Sequence, residues 1–535
     1  MPGPAASPAG PQWWRSGVLY QIYPRSFADS NADGVGDLPG VIAHLDHLAW
    51  LGIDGIWLSP ITVSPNADWG YDVADYCDVD PAYGTLHDLD RLVAEAGKLG
   101  IRILLDLVPN HTSSRNAWFE AALADRESAY RDYYVWQDQR PDGAPPNNWV
   151  SSFGGPAWTL DDSSGQWYLH NFLPEQPDLN WWNESVRDEF DKILRFWFDR
   201  GVAGFRIDVC HMIVKDAELR DNPPTDESDP WLMQVFGQRP VYNACRPEVH
   251  DVLRRWRRIA DQYDPPRLLV GETNVDRVED LVPFYGAGDE LNLGFNFPFV
   301  EAAFDPEALS GVVDKTGELL PDHAGPVWTG SNHDVSHLAT RWAAGDASKV
   351  KLALMMLLSL RGTPVLYQGD EIGLEDTDIE REDVLDPVGL PYWPAYKGRD
   401  PERNPMPWRP GSGGGFTEPG VRTWVTMGDP DASNVSDQRV DPESVLNFVR
   451  DLIALRRVTP DLQLGDTVRT AAPAGCWAWR RGSSVTVILN MSDDDARMEG
   501  VQGRIAAGTD RSRDGETLDK TLHLAAWTGV VIIAG

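Results

Sequence analysis

The sequence predicts an α/β fold, a (β/α)8 TIM barrel with a small domain inserted after the third strand and an antiparallel β-sandwich domain at the C-terminus. Two observations predict the barrel: short apolar runs recur along the chain, and the segments between them carry apolar residues at helical spacing. A third observation locates its chemistry, because acidic residues follow several of these runs, at the strand ends where such barrels bind substrates.

Eight runs qualify as barrel strands, because each is short and rich in aliphatic, β-branched or aromatic residues. In chain order they are VLYQIYP (18–24), GIWLS (55–59), IRILLDLVP (101–109), VAGFRID (202–208), RLLVGE (267–272), LNLGFNF (291–297), PVWTG (326–330) and PVLYQ (364–368). Segments such as LHDLDRLVAEAGKLG and RDEFDKILRFWFDRG lie between them and place apolar residues at i, i+3 and i+4. This spacing predicts helices, so strands and helices alternate as a barrel requires.

Composition shifts predict the domain boundaries. Residues 1–12 are rich in Pro, Gly and Ala and are predicted to be a loose tail, followed by a barrel formed by residues 13–111 and 180–457. Residues 112–179 are rich in Trp, Asn, Gly and Pro with weak helical periodicity, which predicts an inserted domain. Alternating runs such as CWAWRR predict a β domain over residues 458–535.

The formal charge of −35 and the pI near 4.6 exclude several classes of partner. An acidic surface repels nucleic-acid phosphates and anionic membranes, so a neutral small molecule is the expected partner. The four cysteines lack CxxC spacing, which predicts buried reduced thiols. The N-terminal residues lack the layout of a secretory signal, so a cytoplasmic location is predicted, and no glycine-rich phosphate motif indicates an organic cofactor. The oligomeric state stays open.

Three carboxylates stand where predicted strands end: Asp208 in GFRID, Glu272 in VGE and Asp334 in SNHD. Breaking an acetal requires an acid for the leaving oxygen and a carboxylate that opposes the positive charge on the sugar carbon. Any one of the three taken alone is explained as well by a helix cap or a surface ion pair. Together, at one end of a barrel, they favour glycoside chemistry.

Four motifs occur in the order of a known family: DLVPNH (106–111), GFRID (204–208), GE (271–272) and SNHD (331–334). A fifth motif, QPDLNWW (176–182), lies where the inserted domain returns to the barrel. With these motifs the chain, from about Trp13 to its end, resembles the α-amylase superfamily of glycoside hydrolases (family 13), and within it the α-glucosidase and oligo-1,6-glucosidase branch.

The resemblance implies a role for each motif residue. Asp208 is expected to be the nucleophile that forms a covalent glucosyl ester, and Glu272 the acid and later the base. Asp334 is expected to hold the 2- and 3-hydroxyls of the sugar. Arg206 lies on the same strand face as Asp208 and is expected to keep it ionised. Two histidines are expected to donate to sugar hydroxyls, namely His111 and His333.

Three further residues bear on the mode of attack. By resemblance, Tyr71 stacks on the glucose ring, while Asp68 and Arg403 hold the 4-hydroxyl at a closed end of the pocket. Arg403 belongs to a long interval rich in Pro, Gly and Trp, residues 372–430, which is predicted to fold over the barrel mouth. A closed pocket predicts exo action, although an ordinary solvated arginine is the alternative for Arg403.

The stretch from residue 29 to residue 37 is a candidate cation loop. Oxygen-bearing groups recur at alternate positions with glycines between them, and a structural Ca²⁺ or Mg²⁺ is predicted there. The expected ligands are Asp29, Asn31, Asp33, the Val35 carbonyl and Asp37. A turn rich in Asp and Asn without a metal is the alternative.

Val209, which follows the nucleophile, bears on linkage, because by resemblance a valine there accompanies α-1,6 activity; plain barrel packing is the alternative. The leading prediction is a retaining exo-α-glucosidase that acts on a small α-glucoside such as a disaccharide or short gluco-oligosaccharide. One alternative stays open, a transglucosylase or sucrose-isomerase-type transferase on the same scaffold. A non-catalytic relative that serves as an interaction subunit is disfavoured, because it predicts lost carboxylates and a transmembrane anchor, and the sequence shows neither.

Overall fold

The structure, a computed structural model, describes residues 12–229 and 231–534. The predicted tail therefore lies outside the described residues except for Gln12, which precedes a 3-10 helix at Trp13–Arg15. Eight parallel strands, labelled β1 to β8 in chain order, close into a barrel in which each strand pairs with its neighbours in sequence and β8 pairs with β1. They are Leu19–Ile22, Gly55–Leu58, Arg102–Leu107, Gly204–Ile207, Leu268–Gly271, Leu293–Phe295, Gly325–Trp328 and Thr363–Tyr367.

All eight predicted strands are barrel strands, and the predicted barrel is confirmed. Seven of the eight described barrel strands are shorter than their apolar runs, because the last residues of several runs leave the ladder and turn into the pocket, whereas β8 has the predicted length and begins one residue earlier. Alternate side chains such as Trp57, Leu104 and Val270 fill the barrel interior. Their neighbours on the strands, such as Ile56 and Leu105, face the surrounding helices.

Helices cover the outside of the barrel and follow the amphipathic segments of the sequence. The helix Leu86–Lys98 begins with a capping box, in which Thr85 and Asp88 exchange side-chain to backbone hydrogen bonds. The helices of this layer are Leu38–Ala43, Leu45–Leu51, Leu86–Lys98, Glu184–Asp199, Val249–Ala260, Val278–Leu281, Phe297–Val300, Pro306–Leu319, Leu338–Arg341, Ala347–Ser359, Val435–Val440, Val445–Val458 and Pro460–Leu464.

The segment predicted as an inserted domain holds a helix, Ala117–Ala124, and a small antiparallel sheet. The sheet consists of Trp136–Asp138, Gln166–Leu169 and Trp158–Asp161, with the second of these strands in the middle. Trp149, Trp158 and Leu169 form a core of its own. Hydrogen bonds such as that from Trp149 Nε1 to the Arg220 carbonyl (2.9 Å) join it to the segment after β4, which contains the helix Trp231–Phe236.

The C-terminal part is antiparallel, as predicted. A six-stranded sheet packs against a two-stranded one over a core that includes Ile488, Ile505 and Leu522. The strands of the larger sheet, in spatial order, are Thr467–Thr470, Cys476–Arg481, Val485–Asn490, Gly529–Ile533, Gly503–Gly508 and Thr517–Leu518, and those of the smaller sheet are Ala496–Glu499 and Thr521–Leu524.

Residues 372–430, which follow β8, contain only short helical turns, at Arg381–Asp383, Gly389–Tyr392 and Pro401–Arg403. The expectation that the cysteines are buried holds for only two of them: Cys210 and Cys476 are buried, but Cys77 is half-buried and Cys245 is exposed, although all four thiols are free as predicted. Across residues 12–229 and 231–534, no helix combines the length and apolar character needed to cross a bilayer. The cytoplasmic location stays a prediction.

Candidate active site

Four buried residues at the ends of adjacent strands form what we call the floor of the site: Asp106 on β3, Arg206 on β4, Asp208 directly after β4 and Glu272 directly after β5. The Arg206 guanidinium contacts all three carboxylates. Its Nη1 donates to Asp106 Oδ1 and Asp208 Oδ1, each at 2.8 Å, and its Nη2 lies 2.8 Å from Glu272 Oε2. These contacts arise because the strand register sets Asp106 beside Arg206 and aims both into the pocket.

Three carboxylates around one cation leave the floor with more negative charge than a single guanidinium offsets. Burial raises the pKa of Asp208 well above its ordinary value; Arg206 opposes this rise, while Glu272 and Asp106 add to it. Burial likewise raises the pKa of Asp106 to about 7 against the pull of Arg206. The protonation of the floor is therefore sensitive to whatever else enters the pocket.

Val209 takes a backbone conformation that branched residues avoid, with φ at +34° and ψ at +45°. In this conformation its N–H donates to Glu272 Oε2 at 2.8 Å. Strain at a β-branched residue persists only where the surroundings enforce it, and here it orients a floor carboxylate.

A row of rings leads from the floor to the pocket wall. The Tyr71 hydroxyl donates to Asp106 Oδ2 at 3.1 Å and lies 2.5 Å from His333 Nε2, and the two rings stack. The Gln21 amide donates to His333 Nδ1 at 2.7 Å, so the ring proton lies on Nε2. Burial lowers the pKa of His333 to about 3, which keeps the imidazole neutral.

His111 lies behind this row, with Nε2 3.0 Å from the Tyr71 carbonyl oxygen. Burial lowers its pKa to about 4, so it too is a neutral imidazole at neutral pH. Both predicted histidines therefore offer one N–H donor each and no charge.

The second group of residues, which we call the rim, comes from loops rather than strands. Its members are Asp68, Gln176, Asp334, Arg399 and Arg403. Arg403 Nη2 donates to Asp334 Oδ1 at 2.7 Å, and His333 Nε2 lies 3.2 Å from Asp334 Oδ2. Burial would raise the pKa of Asp334, but His333, Arg399 and Arg403 hold it well below its ordinary value.

One expected pairing changes. The cation bound to Asp68 is Arg399, whose Nη2 donates to Asp68 Oδ1 at 2.7 Å, whereas Arg403 is bound to Asp334. The reason is the path of the loop after β8, which brings Arg399 toward Asp68 and carries Arg403 behind His333, where its Nε donates to the His333 carbonyl. Gln176 completes the surroundings of Asp68, because its Nε2 donates to Asp68 Oδ2 at 3.1 Å.

All ten residues that the sequence assigned to the pocket thus lie in one connected site, but three of the connecting residues were missed. These are Asp106, Gln176 and Arg399. Asp106 and Gln176 are the first residues of the motifs DLVPNH and QPDLNWW, and their place in these motifs was a signal for the site. Arg399 had a weaker signal, its place four residues before Arg403 in the same loop.

The candidate cation loop folds around its own amide groups. Asp29 accepts the N–H groups of Ala32 and Gly34 at 2.8 Å each, and Asp37 caps the helix Leu38–Ala43 through the Gly40 N–H. Asn31 Nδ2 donates to Asp33 Oδ2 at 3.0 Å. The oxygen-only donor set has the chemistry of a hard-cation site. In the part of the chain that the structure describes, however, no three His, Cys, Asp or Glu side chains are grouped to hold a metal. The cation stays a prediction.

The barrel, the carboxylates of its floor and the closed rim together define the class of protein: an enzyme that acts on glycosides. Residues 21–465 match the model of the alpha-amylase catalytic domain, and the chain belongs to the α-amylase family of glycoside hydrolases.

Several individual proteins are similar to this chain over most of its length. A probable alpha-glucosidase of Rhizobium meliloti (strain 1021) is 39% identical over 531 residues, which cover 96% of each chain. The oligo-1,6-glucosidase of Heyndrickxia coagulans is 37% identical over 486 residues, which cover 83% of this chain and 85% of that one. The solved alpha-glucosyl transfer enzyme XgtA has a TM-score of 0.91 at 38% identity and covers 98% and 99% of the two chains. The trehalulose synthase MutB of Pseudomonas mesoacidophila MX-45 has a TM-score of 0.88 at 30% identity, with 98% and 100% covered.

Proposed function

We propose that the protein is a retaining exo-α-glucosidase, which releases terminal non-reducing α-linked glucose from disaccharides and short gluco-oligosaccharides. The observation that carries this proposal is the sharing of one guanidinium, that of Arg206, by Asp208 and Glu272, beside a pocket bounded by Asp68 and Arg399. Two carboxylates held at one cation suit a double displacement, in which one forms a bond to the sugar while the other moves a proton.

In this mechanism Glu272 gives its proton to the glycosidic oxygen as Asp208 attacks the anomeric carbon. Arg206 binds Asp208 Oδ1, which assigns the attack to Oδ2. The bond from the sugar carbon to the leaving oxygen breaks, and a glucosyl ester forms. Glu272, now a carboxylate, takes a proton from water, whose oxygen attacks the same carbon and releases Asp208. Two inversions give glucose with its α configuration retained.

The other pocket residues bind the terminal sugar in this proposal. The ring of Tyr71, which stacks on His333, offers an apolar face to the sugar. His111 and His333 donate to hydroxyls, and Asp334 accepts from them while Arg403 keeps it ionised. Asp334 is about a third exposed, with 32% of its side chain accessible, so its carboxylate faces the cavity.

A glucosyl transferase or isomerase is the second candidate. It is favoured by the solved structures of an alpha-glucosyl transfer enzyme and a trehalulose synthase, each of which spans 98% of this chain. The same ester would form on Asp208, and a sugar hydroxyl would replace water in the second step. The two candidates differ only in what attacks the ester.

The test is product analysis on maltose, isomaltose, sucrose and trehalose at matched concentrations, with proton NMR of the first-formed anomer. We expect α-glucose as the initial product and no product from Asp208→Asn. New disaccharides at high substrate concentration would establish the transferase instead. Initial β-glucose would rule out the double displacement.

The cation loop is proposed to bind Ca²⁺ or Mg²⁺ through Asp29, Asn31, Asp33, the Val35 carbonyl and Asp37. An ion at 100 times its dissociation constant stabilises the folded state by about 2.7 kcal/mol. Thermal unfolding with Ca²⁺, with Mg²⁺ and with EDTA measures this effect. We expect Asp33→Ala to abolish the response, while Asp495→Ala, at an exposed position of the C-terminal part, keeps it. An equal melting temperature with and without ions would contradict the proposal.

A further inference from the structure

A second cavity, which we call the lower cavity, lies at the end of the barrel opposite the floor and has a volume of about 430 Å³. Its lining includes Gly325, the first residue of β7, and Gly362, the residue before β8. The cavity therefore lies where the strands begin, whereas the floor lies where they end. The 3-10 helix Trp13–Arg15 and the helix Pro460–Leu464 also contribute to its walls. Its volume is in the range of small-molecule sites.

The lower cavity is lined by cations in a chain whose formal charge is −35. Among the described residues of its lining, Arg15 and Arg361 are charged and none is acidic. Arg15 Nη2 donates to the Asp322 backbone carbonyl at 3.0 Å. Arg361 Nη1 lies 3.8 Å from Asp466 Oδ1, but that carboxylate is 85% exposed, and such surface pairs contribute little. Both guanidinium groups therefore keep their charge available to an anion.

Two buried arginines stand behind the wall of the lower cavity, and their described hydrogen-bond partners are backbone carbonyls. Arg456 Nη2 donates to the Gly362 carbonyl at 2.6 Å, and its Nε donates to the Ser16 carbonyl at 3.4 Å. Arg481 Nε donates to the Gly465 carbonyl at 3.1 Å, while its Nη2 is buried without a hydrogen-bond partner among the described residues. Because carbonyl groups carry no net charge, these contacts do not neutralise the two cations.

The pKa of Arg481 reflects this excess of positive charge. Burial lowers the pKa to about 8, and the neighbouring charges of Arg456 and Arg361 act in the same direction, while Asp461 and Asp466 oppose them. Although the chain as a whole repels anions, the local field at this end of the barrel attracts them.

Another arginine-rich cavity, of about 390 Å³ on the outside of the barrel, shows that arginine content alone does not make such a site. Its lining holds five arginines, but it also holds four acidic residues. Arg254 pairs with Asp251 at 2.7 Å, and Arg257 pairs with Asp261 at 2.9 Å. Its cations are thus offset from within, whereas those of the lower cavity are not.

We propose that the lower cavity, with Arg15 and Arg361 in its lining, is a binding site for a phosphoryl group, either free phosphate or the phosphate of a small organic ester. A guanidinium binds phosphate oxygens through paired N–H donors, and a phosphate dianion can balance two cations. Trp13 and Pro326 give the cavity an apolar wall, which suits the organic part of an ester. Residues 1–11 contain no acidic side chain that could compete for the arginines.

The test is calorimetric titration with inorganic phosphate, phenyl phosphate and benzoate at equal ionic strength, because salt screens such contacts. It compares wild type, Arg361→Gln, Arg15→Gln and Arg258→Gln. Arg258 is the matched control, an exposed arginine in the lining of the cavity that also holds acidic residues. We expect wild type and Arg258→Gln to bind a phosphoryl compound, and the other two variants to bind it at least about tenfold more weakly.

The two phosphoryl compounds distinguish the sources of the group. Tighter binding of phenyl phosphate supports an organic ester, whereas equal binding of the two supports free phosphate. Three results overturn the inference: wild type binds neither phosphoryl compound, benzoate binds as tightly as phenyl phosphate, or Arg361→Gln and Arg15→Gln bind as tightly as wild type. If one of these variants does not fold, the other gives the same comparison. Since the readout is binding at the opposite end of the barrel, the outcome is independent of the proposed function.

Discussion

The floor and the rim of the pocket differ in where their residues come from and in how their charges are matched. The floor stands on or directly after strands β3, β4 and β5, and its three carboxylates share one guanidinium. The rim stands on loops, and there Arg399 pairs with Asp68 and Arg403 with Asp334, while Asp386 of the loop after β8 also binds Arg399. Crowded carboxylates are suited to moving protons, whereas matched pairs are suited to holding a fixed shape.

One pocket can therefore use one group of residues for the chemical step and another group for binding the substrate. A side chain at a strand end is held in place by the backbone hydrogen bonds between the barrel strands. The floor therefore keeps its geometry although it carries three carboxylates and only one guanidinium. Loops have no ladder, so the rim depends on ion pairs such as Arg399 with Asp386 for its order. Changes to the floor should therefore act on the chemical step, and changes to the rim on selectivity.

The largest expected effect is that of Asp208→Asn at the floor. The variant loses the nucleophile, and we expect kcat/KM on an aryl α-glucoside to fall by about 10⁴-fold or more. Steady-state kinetics measures it, with the rim variant Gln176→Ala as comparison, for which KM should rise more than kcat falls. A loss of kcat in Gln176→Ala as large as that in Asp208→Asn would contradict the assignment of the chemical step to the floor alone.

The second prediction uses pH. Arg206 lowers the pKa of Asp208 against burial, and the nucleophile must be ionised. Arg206→Gln should therefore raise this pKa, move the acid limb of the kcat/KM profile to higher pH and lower the maximum by about 10²–10³-fold. Arg403→Gln should leave the limb in place, because Asp334 starts with a pKa well below its ordinary value. Equal shifts of the acid limb in Arg206→Gln and Arg403→Gln would contradict this difference between the floor and the rim.

The third prediction concerns His211, which is buried next to the floor with Nδ1 3.4 Å from the Glu272 carbonyl oxygen. Burial lowers its pKa from 6.5 to about 4. Between these values the unfolded chain binds a proton that the folded chain does not, so the free energy of unfolding falls as the pH falls, by about 1.4 kcal/mol per pH unit.

His211→Gln removes this dependence. Relative to wild type, the variant should gain roughly 3 kcal/mol between pH 6.5 and pH 4, measured by urea unfolding at several pH values. Parallel stability curves for the two proteins would show that His211 is protonated in the folded state.

The smallest effect is expected at Val209, which directly follows Asp208 in the chain and donates its N–H to Glu272. Val209→Thr keeps the shape and exchanges a methyl for a hydroxyl, so the ratio of isomaltose to maltose hydrolysis should change by about tenfold. The rate on an aryl α-glucoside should stay within about threefold, since this substrate has no leaving sugar for the substituted group to contact. A change on the aryl glucoside alone would show that Val209 acts through Glu272 and not on linkage.

The floor and the rim also differ in how well they could be predicted: the sequence identified the floor residues but not the pairings in the rim. Asp208, Glu272 and Arg206 were predictable because a strand of known direction fixes which residues point into the barrel. The pairing of Asp68 with Arg399 was not, because a loop of more than fifty residues, 372–430, has no period from which the direction of a side chain can be derived. Phe153, which packs under Arg399, comes from the inserted segment and gave no signal.

The sequence by itself determined the barrel, the order of its strands and the acidic residues at its mouth, because alternation of apolar runs and helical segments is a local property that each segment carries alone. Only the tertiary structure decided which arginine meets which carboxylate. Asp68, Asp386 and Arg399 lie on two loops separated by more than three hundred residues, and their contact depends on how those loops close over the barrel, a property that belongs to the assembled chain and to no segment of it.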